Sequence, residues 1–386
     1  MNLLEDGAFI DARAKGEYVR LGIACLLVAF MNAHATLLSV VLARNGQSLG
    51  SIGVIISSIA APVIFFALIS GEVAARLGVL ATLRLAMALT IVGVASFQIT
   101  RTTFYGAVCS RILQGAGQGL FLASVVTYTQ SRLTARRMLF LLGLLISVLP
   151  LSQALAPPFG EWIIDRWGDG FLFALVAAPA LVGLALTFTL RPLERAPRTE
   201  GLALMQAIGQ ARPVPLFAVF VNGALFGFCT AYMAAALRER GVPMAAFFTA
   251  STVTLFASRA LAVGGLEDVA RFRLVASGLA TQGVAFVCVA LAGSNPWLVA
   301  LGGVLFGMGY SVTYPVLTAW VSDGLEASRR AGPQALLNAC FNVGLYAMPL
   351  PETWSIARLG FSGTMGVLAL LAVVSAAGVM ASGLRK

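Results

Sequence analysis

Residues 18–42 read YVRLGIACLLVAFMNAHATLLSVVL, an apolar stretch whose one charged side chain is Arg20. A helix needs about 20 predominantly apolar residues to cross the hydrocarbon core of a bilayer. Strands of an outer-membrane barrel instead alternate in polarity over about 10 residues. The stretch therefore predicts a transmembrane helix.

The rest of the chain has the same character. Of its 386 residues, 59% are hydrophobic and 11% are charged, and the mean hydropathy is +0.89. A soluble domain carries about 25% charged and about 45–50% apolar residues. The composition therefore excludes a water-soluble enzyme, a disordered chain and a secreted domain, and it predicts an all-α integral membrane protein.

The same criterion identifies twelve candidate transmembrane helices. They cover residues 18–42, 50–71, 79–99, 103–129, 138–163, 171–190, 214–237, 244–266, 274–294, 297–320, 335–357 and 361–383. The longest polar connection separates the sixth span from the seventh. We therefore predict a cytoplasmic N-terminal segment (1–17), two six-helix bundles (18–190 and 214–386) and a cytoplasmic central linker (191–213).

Lys and Arg are distributed unevenly among the predicted loops. With both termini in the cytoplasm, the inner segments hold 18 of them and the outer segments six, while Arg111 and Arg259 lie within spans. Basic residues concentrate in cytoplasmic loops. The net charge of +10 thus predicts a topology in an inner membrane with both termini cytoplasmic. Because the basic residues are spread over seven segments, binding to nucleic acid is not expected.

Short motifs recur in the two halves at an almost constant offset of 190 to 192 residues. FMNA at 30–33 recurs as FVNG at 220–223, LQGAG at 113–117 as LFGMG at 305–309, and PFGE at 158–161 as PLPE at 349–352. Three matches in the same order indicate a duplicated unit. The sequence therefore predicts two pseudo-symmetric bundles, the parallel repeat found in secondary transporters.

Two further motifs carry a family resemblance. Residues 71–78, GEVAARLG, are similar to G-x-x-x-D-R-x-G with Ala75 in place of the acid, and RILQGAGQG at 111–119 is similar to R-x-x-Q-G-x-G. Along its whole length the chain resembles the major facilitator superfamily. APPFGE at 156–161 resembles the G-P-x-x-G-G motif of antiporter-type exporters, with two glycines replaced. The resemblance implies alternating access around a central cavity and export against a proton gradient.

The resemblance also implies a latch on the cytoplasmic side. Gly71, Arg76 and Gly78 would form its first half, with Arg76 pairing with a carboxylate or a helix end. The copy in the second half contributes Asp268 and Arg271.

Charged side chains within the spans are few, and each is a candidate functional group because a charge in the bilayer core costs several kcal/mol. We interpret Arg111 as a cation that attracts an acidic group, the alternative being an arginine bonded to backbone carbonyls. Glu161 and Glu352 are carboxylates expected to reach membrane depth, where a partly desolvated Glu can exchange protons. Alternatively, they mark helix breaks after Pro157-Pro158 and after residues 349–351. Arg259 is expected to tie down the cytoplasmic loop.

Uncharged polar groups in the spans either line a pathway or bind helices together. His34, the single histidine, is a candidate proton relay or a structural side chain. The remaining candidates for substrate binding or coupling are Asn32, Gln114, Asn222, Tyr310, Tyr314, Asn338 and Asn342. Asn338 and Asn342 are four residues apart and so share a helix face.

These features together predict a secondary active transporter that acts as a monomer in the lipid bilayer. We expect proton-coupled export of a small amphipathic or acidic metabolite, drug or chelator. A proton-coupled importer and a non-transporting membrane sensor remain alternatives, and a membrane enzyme is disfavoured because no catalytic constellation is evident. With one histidine and no Cys/His/Asp cluster in the spans, neither a metal site nor a cofactor is expected.

Overall fold

A computed structural model describes residues 11–133, 145, 148–193, 212–261, 269–325 and 331–384. Over these residues the chain is helical and contains no β-strand. Asp268 of the predicted latch and most of the predicted central linker lie outside the described residues.

The described helices of the first half begin one residue after Asp11, whose side chain accepts a hydrogen bond from the Ala14 amide and caps the first turn. They are α1 (Ala12–Ala33), α2 (Leu38–Arg44), α3 (Leu49–Ser57), α4 (Ala60–Leu77), α5 (Val79–Thr100), α6 (Phe104–Gln130), α7 (Val148–Trp167) and α8 (Leu172–Thr187). Short 3-10 turns at His34–Leu37 and Asp169–Phe171 precede α2 and α8.

The described helices of the second half follow residue 212. They are α9 (Pro213–Ala231), α10 (Met233–Glu239), α11 (Ala245–Leu261), α12 (Arg271–Leu291), α13 (Pro296–Val321), α14 (Ala331–Ala347) and α15 (Pro349–Leu384). Gly360 interrupts α15 with φ 69° and ψ 179°, a backbone conformation that glycine adopts without a steric penalty. The kink falls between the last two predicted spans.

Eight stretches of the described chain are long and apolar enough to cross a membrane. They are Arg13–Arg44, Leu49–Leu77, Val79–Thr100, Asp169–Thr187, Pro213–Ala231, Arg271–Leu291, Pro296–Val321 and Gly332–Leu384. The last one covers two of the predicted spans. Helix α6 is not among the eight, although it has 27 residues, and it carries several polar side chains within the predicted fourth span. The chain is therefore a multi-pass membrane protein.

The prolines of the repeated motif behave differently in the two halves. Pro157 and Pro158 lie inside α7, which continues through both of them to Trp167. The helix break considered after these prolines is therefore wrong: α7 accommodates both of them at the cost of the backbone hydrogen bonds that proline cannot donate. In the second half Pro349 is the first residue of α15, which continues through Pro351 as far as the kink at Gly360. The break considered after residues 349–351 is therefore also wrong, because the interruption lies before Pro349, where α14 ends at Ala347.

Contacts divide the chain into two compact units, the first made of Met1–Ala35 with Ser58–Thr199 and the second of Thr36–Ser57 with Glu200–Lys386. In the first unit, α6 packs against α4 and α5, and α1 packs against α7 and α8. In the second unit, α13 packs against α11 and α12, α9 against α14, and α15 against α12 and α3.

Glycines at the same motif positions make the closest helix contacts in both units. A Cβ atom on Gly115 would lie 2.8 Å from the Ile59 carbonyl oxygen of the segment leading into α4, and one on Gly307 would overlap the Ser251 carbonyl oxygen of α11. An offset of 192 residues relates both members of the first pair to the second. The small residues of the motif therefore allow two backbones to approach closely.

A second pair follows the same rule on the other side of these helices. A Cβ atom on Gly117 would lie 2.5 Å from the Ala86 carbonyl oxygen, and one on Gly309 would lie 2.5 Å from the Gly278 carbonyl oxygen. The offset is again 192 residues. Both α6 and α13 are thus fixed between two neighbouring helices of their own unit.

Candidate functional site

A hydrogen-bonded array of polar side chains connects α1 with α6 in the first unit. The Arg111 guanidinium donates from Nη1 to Oε1 of Gln114 at 2.7 Å. Gln114 donates from Nε2 to Oδ1 of Asn32 at 2.9 Å, and Gln118 donates to the same oxygen at 3.1 Å. Arg111 and Gln114 are buried, whereas Asn32 and Gln118 are partly exposed. The Gln114 side chain therefore connects the buried Arg111 cation to Asn32, which also bonds to Gln118; Asn32 and Gln118 are the partly exposed members of the array.

The sequence predicted three members of this array and missed the fourth. Arg111, Gln114 and Gln118 are spaced three and four residues apart, and this spacing puts them on one face of α6. The same spacing was the signal that could have identified Gln118. The partner of Asn32 was not predictable, because it depends on how α1 is rotated against α6.

His34 lies outside this array, in an aromatic environment. It is fully buried, and its Nδ1 donates to the Phe30 carbonyl oxygen at 2.8 Å. Its ring meets the rings of Phe30 and Phe159 edge to face, with centroids 4.8 and 6.1 Å apart. Nε2 is buried and has no hydrogen-bond partner among the described residues. A carbonyl only accepts, so Nδ1 carries a proton and Nε2 is left as the other site for one. Glu161, two residues after Phe159, is half-buried in α7.

The equivalent asparagine of the second unit has a different partner. Asn222 on α9 is fully buried, and its Oδ1 accepts a hydrogen bond of 3.0 Å from Nε2 of Gln282 on α12. Gln282 also donates to Oγ1 of Thr313 on α13 at 3.3 Å. These contacts bind three helices together, which is the structural alternative considered for polar residues in spans. Gln282 was not among the sequence candidates.

Aromatic side chains of α9, α13 and α14 form a continuous surface in the second unit. The Tyr310 ring stacks on Phe226 and Tyr314, with centroid distances of 4.9 and 6.3 Å and interplanar angles of 19° and 16°. We call this surface the aromatic wall; it consists of Phe226, Phe306, Tyr310, Tyr314 and Phe341. Tyr310 and Tyr314, both predicted as substrate-binding or coupling residues, therefore belong to the same aromatic wall.

A polar pair lies at one end of the aromatic wall. Tyr314 donates from its hydroxyl to Oδ1 of Asn338 at 2.7 Å, and Asn338 is exposed on the surface of its unit. Asn342, one turn along α14, is half-buried. Polar groups facing lipid at this depth would lose hydrogen bonds to water at a cost of several kcal/mol. The bond between Tyr314 and Asn338 satisfies one polar group of each side chain at this end of the aromatic wall.

Glu352 is a buried carboxyl group of the second unit. It is 3% exposed, in the first turn of α15, and neither carboxyl oxygen has a hydrogen-bond partner among the described residues. The neighbouring Thr353 is bonded to the Tyr232 hydroxyl, which also donates to the Pro349 carbonyl oxygen at 3.0 Å. The hydroxyl groups of Tyr232 and Thr353 therefore bond to other groups and not to the Glu352 carboxyl group. Burying an unpaired carboxylate is expensive, whereas a protonated carboxyl group is much less so.

The structure describes four of the five predicted latch residues, all except Asp268. Arg76 donates from Nε to Oε1 of Glu72 at 2.7 Å, one turn earlier on α4, and both side chains are exposed. Gly78 ends α4 with a φ of 91° and begins α5. Arg271 forms an ion pair with Asp323, which follows α13. Arg76 therefore has a carboxylate partner, but one on its own helix. Gly71 lies in α4.

A buried ionic cluster in the first unit was missed from the sequence. Glu17 on α1 is 1% exposed, and its carboxylate contacts Nε of Arg191 at 2.7 Å and Nε of Arg132 at 2.9 Å. Arg191 also donates to Asp11, and this hydrogen bond holds the pKa of Asp11 below its usual value. The cluster joins the ends of α1, α6 and α8.

Further arginines bind the carboxyl end of α8, where backbone carbonyls have no partner within the helix. The carbonyl oxygens of Thr187, Thr189 and Arg191 accept hydrogen bonds from Arg84, Arg20 and Arg132 at 2.9, 3.2 and 2.9 Å. Cations at this end also complement the helix dipole. Arginines that indicated topology in the sequence therefore have a second, structural function.

Comparisons with known proteins agree with this architecture. The family model described as Major Facilitator Superfamily matches residues 21–280. No curated protein sequence matches the chain significantly.

Several solved transporters share the fold at low sequence identity. A structure of the nucleoside transporter NupG superposes with a TM-score of 0.79 at 14% identity, over 95% of this chain and 99% of that one. A D-xylose-proton symporter superposes with a TM-score of 0.76 at 16% identity, over 94% and 96%. The POT family transporter PepTSo superposes with a TM-score of 0.78 at 12% identity, over 95% and 97%. Since the family model spans well over half of its residues, the chain belongs to the Major Facilitator Superfamily.

Proposed function

We propose that this chain is a proton-coupled secondary transporter that exports a small acidic or amphipathic solute by alternating access. It would do so as a monomer in an inner membrane, with twelve spans in two six-helix bundles (18–190 and 214–386) and both termini in the cytoplasm. The superfamily fold supports secondary transport. Export is supported by the resemblance of residues 156–161 to the motif of antiporter-type exporters.

The observation that carries the proposal is the array around Arg111. A guanidinium in a membrane span is retained at considerable cost, and here it is buried and bonded to the neutral side chain of Gln114. The spans that contain Arg111 and Asn32 include no Asp or Glu. An acidic group of the solute would be attracted to this positive charge, with Asn32 and Gln118 as the neighbouring hydrogen-bonding groups.

Glu352 is the proposed site of the coupling proton, with Glu161 and His34 as the other candidates. Its carboxyl group is buried and has no hydrogen-bond partner among the described residues. A change in access at this position would allow a proton to be taken up on one side of the membrane and released on the other. Carriers that couple to protons need such a group.

The groups around Glu352 leave its charge unbalanced. Cys229 of α9 and Tyr232, the residue that follows α9, are titratable groups close to Glu352, and neither is a cation. Helix α3, which also packs on α15, has no titratable residue. The titratable residues of the other two helices packed on α15 do not bond to the Glu352 carboxyl oxygens; in α12 and α14 these are Arg271, Arg273, Cys288, Cys340 and Tyr346. We expect no described cation to offset an ionised Glu352.

The substrate class is tested with the purified full chain and a panel of organic acids, sugars, cationic drugs and chelators. A ligand that binds the folded state raises the apparent melting temperature. We expect acidic compounds to stabilise the wild type and to lose this effect in Arg111→Gln. Compounds that stabilise are then tested for counterflow in proteoliposomes. Stabilisation by neutral or cationic compounds alone, equal in both proteins, would overturn the acidic substrate.

Coupling is tested separately with Glu352→Gln, which mimics the protonated carboxyl group. We expect this variant to retain solute exchange but to lose accumulation driven by an imposed pH gradient, while Glu161→Gln retains both. If Glu352→Gln accumulates solute like the wild type, Glu352 is not the coupling site. If Glu161→Gln instead loses the accumulation driven by the pH gradient, the coupling site is assigned to Glu161 on α7.

An importer is the second candidate, because one structure that shares the fold is a D-xylose-proton symporter. The direction of the pH gradient that drives accumulation distinguishes symport from antiport. Binding without any counterflow would instead favour a membrane sensor.

A further inference from the structure

We propose that Arg259, Tyr310 and Tyr314 form a subsite of the second unit that binds a planar aromatic carboxylate, the ring against the aromatic wall and the carboxylate at Arg259. This inference rests on the proposed function and narrows its substrate class. It concerns a residue, Arg259, that the sequence pattern connected only with a cytoplasmic loop.

The register of α11 against α13 brings Arg259 to the aromatic wall. A Cβ atom on Gly303 would lie 2.6 Å from the Phe247 carbonyl oxygen, and Gly307 similarly faces Ser251. Both pairs are 56 residues apart, so the two helices run side by side in the same direction. Arg259, eight residues beyond Ser251, is therefore level with the turn of α13 that follows Tyr310.

The direction of the side chain completes the placement. Long helical side chains point back towards the helix N-terminus by about one turn. This direction takes the Arg259 guanidinium back to the level of Tyr310, and Arg259 is among the groups whose charge influences the Tyr310 hydroxyl. Nε of Arg259 is buried and has no hydrogen-bond acceptor among the described residues. A buried donor without an acceptor is costly, so a ligand that supplies one is favoured.

The aromatic wall supplies the complementary apolar surface. The rings of Phe226, Tyr310 and Tyr314 lie within 20° of parallel in successive pairs, so a further planar ring can continue the stack or meet the exposed ring edges. Tyr310 and Tyr314 are partly exposed, and the exposed Asn338 borders them. Aromatic rings favour offset or edge-to-face contact with other rings. The surface therefore suits a planar ring better than a saturated one.

Together, the two features specify the ligand class. The guanidinium favours a carboxylate through charge-assisted hydrogen bonds, and the aromatic wall favours a planar conjugated ring. Neither a neutral aromatic compound nor a saturated acid satisfies both groups. Benzoate, benzamide and cyclohexanecarboxylate form a matched set of probes that separates the two contributions.

The experiment measures the affinity of the purified full chain for these three probes in lipid nanodiscs. We expect wild type to bind benzoate about tenfold more tightly than benzamide, as one charge-assisted hydrogen bond allows. We expect it to bind benzoate about threefold to tenfold more tightly than cyclohexanecarboxylate, as one aromatic contact allows. Arg259→Gln should lose the preference for benzoate over benzamide. Tyr310→Leu should lose the preference over cyclohexanecarboxylate, and Tyr310→Phe should keep it. Arg358→Gln, which removes an arginine stacked on Trp354, is the control and should behave like wild type.

The outcomes separate this subsite from the proposed function. If Arg259→Gln keeps the full preference for benzoate while Arg111→Gln loses it, the subsite is wrong and anion transport stands. If wild type does not distinguish the three probes, the subsite is also wrong, and counterflow of other acids tests transport independently. Variants that do not elute as a single folded species are replaced by Arg259→Lys, which keeps the charge and should keep part of the preference.

Discussion

Gln114 donates a 2.9 Å hydrogen bond from its side-chain amide on α6 to Oδ1 of Asn32 on α1. At its other end the same side chain accepts a hydrogen bond from Arg111. The orientation of the amide is therefore fixed by both neighbours: the cation requires an oxygen, and Asn32 Oδ1 requires a donor. This bond holds the positive charge of Arg111 through a neutral side chain.

Replacing Gln114 with Glu should cancel that charge. The new carboxylate would lie where Oε1 now accepts from Arg111 at 2.7 Å, and it would form an ion pair with the guanidinium. We expect the affinity for the acidic solute to fall by about tenfold to a hundredfold, the loss of one charge-assisted interaction. The control is Gln114→Leu, which removes the hydrogen bonds without adding a charge and should retain the preference for anions. Unchanged affinity in Gln114→Glu would show that Arg111 does not contact the solute.

Gly307→Ala should destabilise the second unit. The added methyl group would overlap the Ser251 carbonyl oxygen, where neither backbone can move freely. Overpacking of this kind costs about 1–3 kcal/mol, and thermal unfolding in detergent would detect it. Gly366 in α15 has nothing within 4 Å of an added Cβ atom, so Gly366→Ala should be neutral or stabilising by up to about 1 kcal/mol. Equal effects at both positions would show that the close approach is not required.

Arg132→Leu should strongly lower the stability of the first unit. The buried carboxylate of Glu17 would lose the contact at 2.9 Å and keep only Arg191 as an ionic partner among the described residues. Breaking a buried pair costs about 3–5 kcal/mol when the remaining charge has no other partner. Because Arg191 still pairs with Glu17, we expect a loss of about 1–3 kcal/mol. Asp11→Asn removes an exposed partner of Arg191 and should cost less than about 1 kcal/mol. The melting temperatures of the two variants compare these costs directly, and a larger effect of Asp11→Asn would contradict the cluster.

Arg76→Ala should impair transport without changing stability. Its partner Glu72 lies on the same helix, and both side chains are exposed. Pairs of this kind contribute about 0.3–0.5 kcal/mol. A reduced transport rate with normal expression and melting temperature would support the latch, whereas normal transport would exclude it. Glu72→Gln shows whether the partner on α4 is needed for this role.

Some features of the site followed from local sequence and others did not. The spacing of Arg111 and Gln114 places them on one helix face whatever surrounds the helix. The repeated motifs also indicated equivalent helix packing, since Gly115 and Gly307 make equivalent close approaches to a neighbouring segment. The partners of Asn32 and Asn222, by contrast, come from α6 in one unit and α12 in the other. An equivalent position in the repeat therefore did not predict an equivalent contact.

Glu17 also depends for its burial on tertiary structure and not on local sequence. In the sequence it belongs to a polar terminal segment, and only the packing of α1 beside α6 and α8 reveals it as a buried ion. The burial of Glu352 could not be predicted from the sequence either. Glu161 occupies the matching motif position in the first half, yet it is only half-buried. Burial depends on neighbours that are distant in the chain.

The sequence by itself determined that this chain is a helical membrane protein, because a backbone in lipid must satisfy its hydrogen bonds within each apolar segment. It also determined which residues share a helix face, since that depends on the helical period alone. The tertiary structure decided which faces meet. The register set by glycine contacts, such as Gly303 with Phe247, makes Arg259 level with the turn of α13 that follows Tyr310, and no local pattern in either helix specifies that register.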